Sequence, residues 1–240
     1  FNNHKRGDFK PYLFKSENKG KSWENITSNL PERGSTYAIA QDHENENLLF
    51  LGTEFGIFFS TNGGDKWIQL KGGLPNIAVR DIAIQKREGD LVLGPFGRGF
   101  YVLDDYTALR KLDRTAMAKE AHIFDVKDAL MYIERNDLGR GKKGFQGDGL
   151  YRANNPEVGA WITFWYGAEH KTLRDLRKEK EKNSEDDFYP TFEELEREDT
   201  EDKAYLIFTI TDAAGNLVRK MTSPASKGLN RIVWDFKYSS

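Results

Sequence analysis

The sequence predicts a mainly β protein in which short antiparallel strands are joined by tight turns. Aromatic residues make up 13% of the chain, 22 residues are glycine, and short apolar segments alternate with polar turns. These features are typical of many short strands. The 240 residues are enough for two ordinary domains, so we expect two, each with a hydrophobic core of its own.

The N-terminal half contains a repeated hairpin motif. The pattern S-x-N-x-G-x-x-W occupies residues 16–23 and recurs at residues 60–67, 44 positions further along the chain. A strand–turn–strand–turn–strand unit at residues 38–59 also recurs, at residues 82–102, the second time without the hairpin motif. Because this period is that of one four-stranded blade, the repeat predicts a β-propeller.

Residues 1–105 hold about two and a half such four-stranded blades. A closed propeller needs at least about four blades, and an incomplete ring leaves sheet faces and strand edges unpaired. We therefore expect this partial β-propeller to be completed by missing upstream blades of the same parent chain, or by a partner that supplies them.

The remainder of the chain predicts a linker and a β-sandwich. Residues 106–155 have only weak periodicity, with short strands expected at 121–124 and 129–133 and a Gly-rich loop at 138–149, and we interpret them as a linker that docks on its neighbours. Residues 156–240 alternate as the strands of an immunoglobulin-like (Ig-like) sandwich do, with a hairpin turn after Ile210.

A charged insertion interrupts this second domain at about residues 171–203, where 8 residues are basic and 13 are acidic. The sequence predicts one helix from Thr172 to about Lys182, with Leu173 and Leu176 on its inner face. A second helix is predicted to start in the capping box that follows Pro190. A solvated pair of short helices is therefore expected.

The two hairpin motifs resemble the Asp-box of bacterial neuraminidase-type (BNR) repeats, found in sialidases, other glycosidases and sortilin-type sorting receptors. Residues 10–15, 51–56 and 97–105 are similar to the last blades of bacterial proteins described as sortilin-like or as BNR-repeat glycosyl hydrolases. Residues 210–219 and 228–235 resemble the Ig-like module of the flagellar hook-capping protein. These resemblances imply a secreted bacterial protein located outside the cell, in the periplasm or at the cell surface.

Turn chemistry accounts for every position of the two Asp-box motifs. Asn replaces the usual Asp of the family, but it accepts the same hydrogen bonds and tolerates the left-handed conformation, so the hairpin is retained. A carboxylate metal site is not expected there. We assign structural roles to Ser16, Asn18, Gly20 and Trp23 in the first copy and to Ser60, Asn62, Gly64 and Trp67 in the second.

Catalysis by a glycosidase requires two carboxyl groups about 5 to 9.5 Å apart, or a Tyr nucleophile with an Arg cluster in sialidases. Acidic residues at predicted strand ends and turns give the candidates Asp42, Glu54, Asp81, Asp104 and Asp105. The alternative is that they are solvated or hold the next blade through hydrogen bonds. For a hydrolase, the acids would have to converge on the rim opposite the Asp-box turns.

Four further residues are candidates for ligand binding. Arg80 and Arg98 lie close to the acids in the repeat, and the glycines that flank Arg98 would allow either a ligand or a neighbouring blade to approach. Trp161 and Trp165 share one face of a strand and form a sugar-stacking platform, or else both faces of this strand are buried, one in the sandwich and the other under the charged helices.

Composition argues against several classes of function. Lys+Arg number 36 against 38 Asp+Glu, so a dedicated nucleic-acid binder is not expected. The chain has no cysteine, which excludes disulfides and thiolate chemistry. Its four histidines lack ligand spacing and its acidic stretch lacks a calcium-loop pattern, so neither a metal nor a cofactor is predicted. No apolar run approaches the roughly 20 residues of a membrane span.

The predicted function is glycan binding (carbohydrate binding), peptide binding or scaffolding by the C-terminal segment of an exported Asp-box propeller with an Ig-like accessory module. The alternative is part of a BNR- or sialidase-like glycoside hydrolase whose active site is completed by the upstream blades. In that case the segment alone is expected to be inactive. A third interpretation is a purely structural part of an assembly.

Overall fold

The computed structural model of the chain describes residues 2–132, 153–184 and 189–238. It is mainly β, as predicted, with 34% of residues in strands and 15% in helices. The strands of the described residues form five antiparallel sheets, none of which closes into a barrel. The chain divides into two units, Phe1–Arg114 and Thr115–Ser240, and the predicted linker therefore contributes residues to both.

The first unit is built from nine short strands in three sheets. The strands are β1 Phe14–Lys15, β2 Glu24–Asn25, β3 Thr36–Gln41, β4 Leu49–Thr53, β5 Gly56–Ser60, β6 Ile68–Gln69, β7 Val79–Gln85, β8 Asp90–Pro95 and β9 Tyr101–Leu103. Strand β1 pairs with β2, β3 to β6 form a four-stranded sheet in chain order, and β7 to β9 form a three-stranded sheet. Each strand is antiparallel to its neighbours.

The two predicted copies of the strand unit fold in the same way. In both, the first pair of strands contains a register shift near its start, between Thr36 and Ala38 and between Val79 and Asp81. The third strand is shorter in the second copy because Arg98 and its two flanking glycines all have positive φ, which ends the strand conformation.

The four-stranded sheet contains the core of the first unit. Every residue of β4 and β5 is buried, so both faces of these two strands are covered. On one face lies a cluster of buried apolar side chains: Leu13, Ile26, Leu30, Leu49, Leu51, Phe58 and Trp67. On the other face, a Cβ at Gly52 would lie only 2.6 Å from the Val79 carbonyl oxygen, so the main chains of β4 and β7 are in direct contact. Glycine is required at this crossing.

The described residues of the second unit form five strands in two sheets. They are β10 Ala121–Ile123, β11 Ala160–Tyr166, β12 Tyr205–Thr211, β13 Leu217–Pro224 and β14 Gly228–Trp234. The sheet orders are β10-β11-β14 and β12-β13, all antiparallel. Phe164 of β11 contacts Phe208 of β12, with ring centroids 4.7 Å apart, and this contact joins the two sheets.

The part of the chain that the structure describes has three α-helices, α1 Arg114–Met117, α2 Leu173–Asn183 and α3 Phe192–Thr200. Helices α2 and α3 begin in capping boxes at Thr172 and Thr191, which confirms the predicted helices of the insertion. Neither helix has a buried residue, and the predicted inner-face residues Leu173 and Leu176 remain largely exposed. An ion pair between Arg177 and Glu198 joins the two helices instead.

The predicted linker contains more structure than its weak periodicity indicates. A 3₁₀-helix at Thr107–Lys111 follows β9, and β10 pairs with β11 in the second unit. The strand predicted at residues 129–133 is wrong for 129–132, which have no regular structure. Residue 133 and the predicted Gly-rich loop at 138–149 lie outside the described residues.

Candidate functional site

The two copies of the hairpin motif, at residues 16–23 and 60–67, share their main capping hydrogen bonds. In the first, the Gly20 amide donates to Ser16 Oγ at 2.7 Å and the Ser22 amide donates to Asn18 Oδ1 at 2.8 Å. In the second, the corresponding distances are 2.9 Å from Gly64 and 3.0 Å from Lys66. Both glycines have positive φ, of 85° and 104°. The Asn side chain therefore caps each turn through its carbonyl oxygen, which is all that the turn requires.

The tryptophans of the two motifs lie in different surroundings. Trp67 is 2% exposed, and its indole Nε1 donates to the Ile26 carbonyl oxygen at 2.8 Å. Asn29 holds the main chain of Trp67 from both sides, accepting from its amide and donating to its carbonyl oxygen. Trp23 lies over Gly20 of its own hairpin but is 59% exposed. The second motif is thus anchored on the preceding sheet, whereas the first has no such neighbour among the described residues.

A buried carboxylate joins the turn after β3 to the segment after β9. Asp42 accepts hydrogen bonds from the Tyr106 hydroxyl at 2.5 Å and from Arg110 Nε and Nη2 at 2.9 and 3.0 Å. The amides of Glu44 and Asn45 donate to the same carboxylate. Asp42 was one of the candidate acids, but its oxygens are fully engaged and its side chain is not accessible to a substrate.

The protonation states of this cluster are fixed at neutral pH. Burial raises the pKa of Asp42, but hydrogen bonds from Arg110, Tyr106 and two amides outweigh burial and lower this pKa to about 2. Burial and the hydrogen bond to Asp42 raise the pKa of Tyr106 above its ordinary value. A general acid or base works best with a pKa near the working pH. The cluster is therefore suited to holding the two segments together.

The candidate acids are divided between opposite ends of the sheets. Glu54 lies in the β4–β5 turn and Asp81 lies near the start of β7, at the end opposite the Asp-box turns; we call this the Glu54 end. Asp104 and Asp105 follow β9 at the other end, where the Asp105 amide donates to Asp90. The six residues of β8 separate the ends by roughly 17 Å. This exceeds the carboxylate spacing of either glycosidase mechanism.

Local contacts of these acids are those of turn residues. Glu54 accepts from the Ser35 amide at 3.4 Å. Asp81 accepts from the next amide in the chain at 2.9 Å and is exposed. Asp105 accepts from the amide and hydroxyl of Thr107, at the start of the 3₁₀-helix. Only Glu54 and Asp81 meet the condition of lying on the rim opposite the Asp-box turns.

Arg80 and Arg98 both lie at the Glu54 end and are exposed. The Arg80 guanidinium carbon is 3.8 Å from the centroid of the Tyr37 ring and 5.6 Å from that of Phe96. The glycines beside Arg98 have no described atom within 4 Å of where a Cβ would stand. Both glycines have a positive φ, a conformation that favours glycine.

Trp161 and Trp165 do not form an open platform. The Arg231 guanidinium lies 4.7 Å from the Trp161 ring centroid, and the Trp161 indole N–H donates to the Glu157 carbonyl oxygen at 2.8 Å. The Trp165 Nε1 is shielded from solvent and has no hydrogen-bond partner among the described residues. Arg231 therefore stacks on Trp161 and donates a hydrogen bond to Thr163 Oγ1, between the two tryptophans on the strand.

Sequence reasoning missed Tyr106, Arg110 and Asn29 as partners of Asp42 and Trp67. The one sequence signal for Tyr106 and Arg110 is at β9, the third strand of the second copy. The S-x-N-x-G-x-x-W motif found after the third strand of the first copy is absent there. Among the described residues, no group of three or more His, Asp or Glu side chains could hold a metal ion. None of the described helices combines the length and apolar character needed to cross a membrane.

Comparison of the chain with protein-family models, with curated proteins and with solved structures gave no match.

Proposed function

We propose that this chain is part of an Asp-box β-propeller followed by an Ig-like accessory unit, and that the complete ring binds a glycan or a peptide without hydrolysing it. The unequal burial of Trp23 and Trp67 supports the propeller architecture. The distribution of acids and arginines over the two ends of the sheets supports binding without hydrolysis.

Trp23 and Trp67 occupy the same position in the two copies of the hairpin motif. Trp67 reaches the preceding sheet, where it donates to Ile26 and where Asn29 brackets its main chain. Burying an indole of this size excludes a large apolar area from water, so an exposed Trp23 favours a neighbour that covers it. A further repeat with its own equivalent of Ile26 would do so, and stacking of like repeats is how such folds build a continuous core.

Binding without turnover is supported by the arrangement of charged groups. Asp42 is fixed in a hydrogen-bonded cluster, and Asp104 and Asp105 lie at the Asp-box end. The Glu54 end carries the two remaining candidate acids, Glu54 and Asp81, together with exposed arginines and aromatic rings. Such side chains are typical of binding surfaces.

The two sheets of the second unit support the Ig-like part of the proposal. Strands β10, β11 and β14 face the β12–β13 hairpin through Phe164 and Phe208, as the inner faces of a sandwich do. The turn after β12 is closed by the Asp212 carboxylate, which accepts from the amides of Ala214 and Asn216.

Thiol labelling tests the architecture, since the chain has no cysteine to interfere. In the Trp23→Cys variant, the introduced thiol should react rapidly with a water-soluble reagent in this chain. It should be protected at least tenfold in the longest polypeptide that its gene encodes. A Lys71→Cys variant, at an exposed position, gives the unprotected control rate. Equal reactivity at position 23 in both forms would contradict the proposed ring.

Arrays of immobilised glycans and peptides, followed by assays on chromogenic glycosides, test the binding role. The longest polypeptide should bind members of one array and release no chromophore. Turnover that is lost in the Glu54→Gln or Asp81→Asn variant would replace the binding role with a hydrolase. Absence of binding on both arrays would leave only the structural interpretation.

A further inference from the structure

The Glu54 end of the first unit carries a continuous surface of aromatic rings and guanidinium groups. We call it the aromatic–arginine band and define it by Phe9, Arg33, Tyr37, Phe55, Arg80 and Phe96. Phe96 is 72% exposed, and Phe100 beside it is 75% exposed. Rings this exposed contribute little to the core, so their position on the surface requires another explanation.

Contacts along residues 33–37 join the members of the band. The Arg33 guanidinium lies 5.6 Å from the Phe9 ring centroid, and the Gly34 amide donates to the Phe9 carbonyl oxygen. A Cβ at Gly34 would lie 3.0 Å from Phe55 Cδ2. The Arg80 guanidinium contacts Tyr37 and also lies 5.6 Å from the Phe96 ring centroid. The band therefore extends from the segment before β1, past the start of β3 and the β4–β5 turn, to β7 and the end of β8.

The arginines of the band have stacking partners but no carboxylate partner. Arg33, Arg80 and the adjacent Arg98 form no ion pair with a described residue, in contrast to Arg110, which is paired with Asp42 and Glu44. A guanidinium stacked on a ring keeps its N–H donors at its edge, where they can bind a carboxylate in bidentate geometry. The structure thus presents pre-oriented donors that lack an acceptor.

Two grooves open beside the band at equivalent positions of successive repeats. The first is lined by Leu30 and Pro31 together with Phe9 and Arg33 of the band. The second is lined by Leu74 and Pro75, which stand 44 positions later, together with Phe55.

We propose that the aromatic–arginine band binds a polysaccharide that carries carboxylates, such as a polymer of uronic acids. The apolar faces of the sugar rings stack on Phe96 and Phe55, and the carboxylates accept hydrogen bonds from Arg80 and Arg33. This inference rests on the proposed binding role and specifies its ligand class. A peptide ligand would supply carboxylates but not the sequence of flat, regularly spaced rings.

Titration calorimetry with polygalacturonate tests this assignment. Polygalacturonate should bind, and its fully methyl-esterified form, with the same backbone and no charge, should bind at least about tenfold more weakly, because hydrogen bonds to charged groups are strong. Polyglutamate, which has the carboxylates without the rings, should also bind at least about tenfold more weakly. Equal binding of the esterified polymer, or tighter binding of polyglutamate, would overturn the inference.

Variants locate the binding surface. Arg80→Gln and Phe96→Ala should each weaken polygalacturonate binding about tenfold, and Arg80→Lys should restore only part of the loss because an ammonium cannot bind in bidentate fashion. The matched control is Arg87→Gln, an exposed arginine in the β7–β8 turn at the opposite end of the sheet, which should bind as the unchanged protein does. Unaltered binding by Arg80→Gln and Phe96→Ala would refute the site.

The outcomes separate this inference from the broader proposal. Binding of neutral glycans alone on the arrays would contradict the acidic-polysaccharide assignment but would agree with the proposed binding role. Absence of any glycan or peptide binding would contradict both.

Discussion

The Tyr106 hydroxyl donates a hydrogen bond to the Asp42 carboxylate across 64 residues of sequence. Tyr106 also packs edge-on against Phe50 of β4, with ring centroids 5.0 Å apart. The Tyr106 side chain therefore forms a hydrogen bond to the turn after β3 and packs on one face of the four-stranded sheet. It attaches the segment after β9, where the chain leaves the three-stranded sheet, to the four-stranded sheet.

Removing this hydroxyl should destabilise the first unit. In Tyr106→Phe the ring is retained, but Asp42 loses one of its donors in a buried position. A hydrogen bond to a charged group contributes about 1.5 to 3 kcal/mol, so the free energy of unfolding in urea should fall by that amount. Tyr189→Phe is the control, since Tyr189 is 82% exposed. A loss below about 0.5 kcal/mol would show that the bond is not important to stability.

The Asp42 carboxylate should make stability depend on pH in the acid range. Its pKa is about 2 in the folded chain against an ordinary 3.8, so its contribution is complete above about pH 4 and is lost as the pH falls towards 2. The difference corresponds to about 2 kcal/mol. The gap in unfolding free energy between the unchanged protein and Asp42→Asn should narrow by about this amount between pH 5 and pH 2. A gap that stays constant over this range would contradict the assignment.

The crossing of β4 and β7 should not tolerate a methyl group. A Cβ at Gly52 would meet the Val79 carbonyl oxygen at 2.6 Å, so Gly52→Ala should force the sheets apart and cost roughly 1 to 3 kcal/mol in chemical denaturation. Gly94 occupies the same position of the second copy, where the nearest atom would be Asp81 Cβ at 3.4 Å. Gly94→Ala should therefore be close to neutral. Equal effects of the two substitutions would argue against a main-chain contact.

The helical insertion should depend on Arg177. This guanidinium donates to both oxygens of Glu198 on α3, at 2.6 and 3.0 Å, and also to Glu181 on its own helix. In Arg177→Gln, amide hydrogens of α3 should exchange about two- to fivefold faster, because neither helix has a buried residue to hold it. Exchange measured by mass spectrometry should be unchanged in Lys178→Gln. Identical rates in both variants would mean that other contacts hold the pair.

Elements with local determinants could be predicted from the sequence. The turns of the repeated hairpin motif depend on a hydroxyl, an amide and a positive-φ glycine within five residues, and the bond from the glycine amide to the serine hydroxyl forms in both copies. The capping boxes at Thr172 and Thr191 likewise need only residues three apart. The alternation of apolar residues located most strands. All of these features are determined by residues that are close together in the sequence.

Features that depend on register between distant segments could not be predicted. That Glu54 and Asp105 lie at opposite ends follows from strand direction and pairing, which spacing along the chain does not reveal. Trp23 and Trp67 are indistinguishable in their motifs, and their different burial depends on what lies beside each. The partnership of Asp42 with Arg110 spans 68 residues and has no local pattern.

The complete burial of β4 and β5 determines how the first unit comes apart. A sheet covered on both faces cannot lose its hydrogen bonds until a neighbouring sheet has moved away, whereas β1 and β2, two residues each and exposed, can open without disturbing the rest. We therefore expect unfolding to begin at the outer sheets and to reach β4 and β5 last. The hydrogen bonds of the four-stranded sheet should break only after its neighbouring sheets have separated from it.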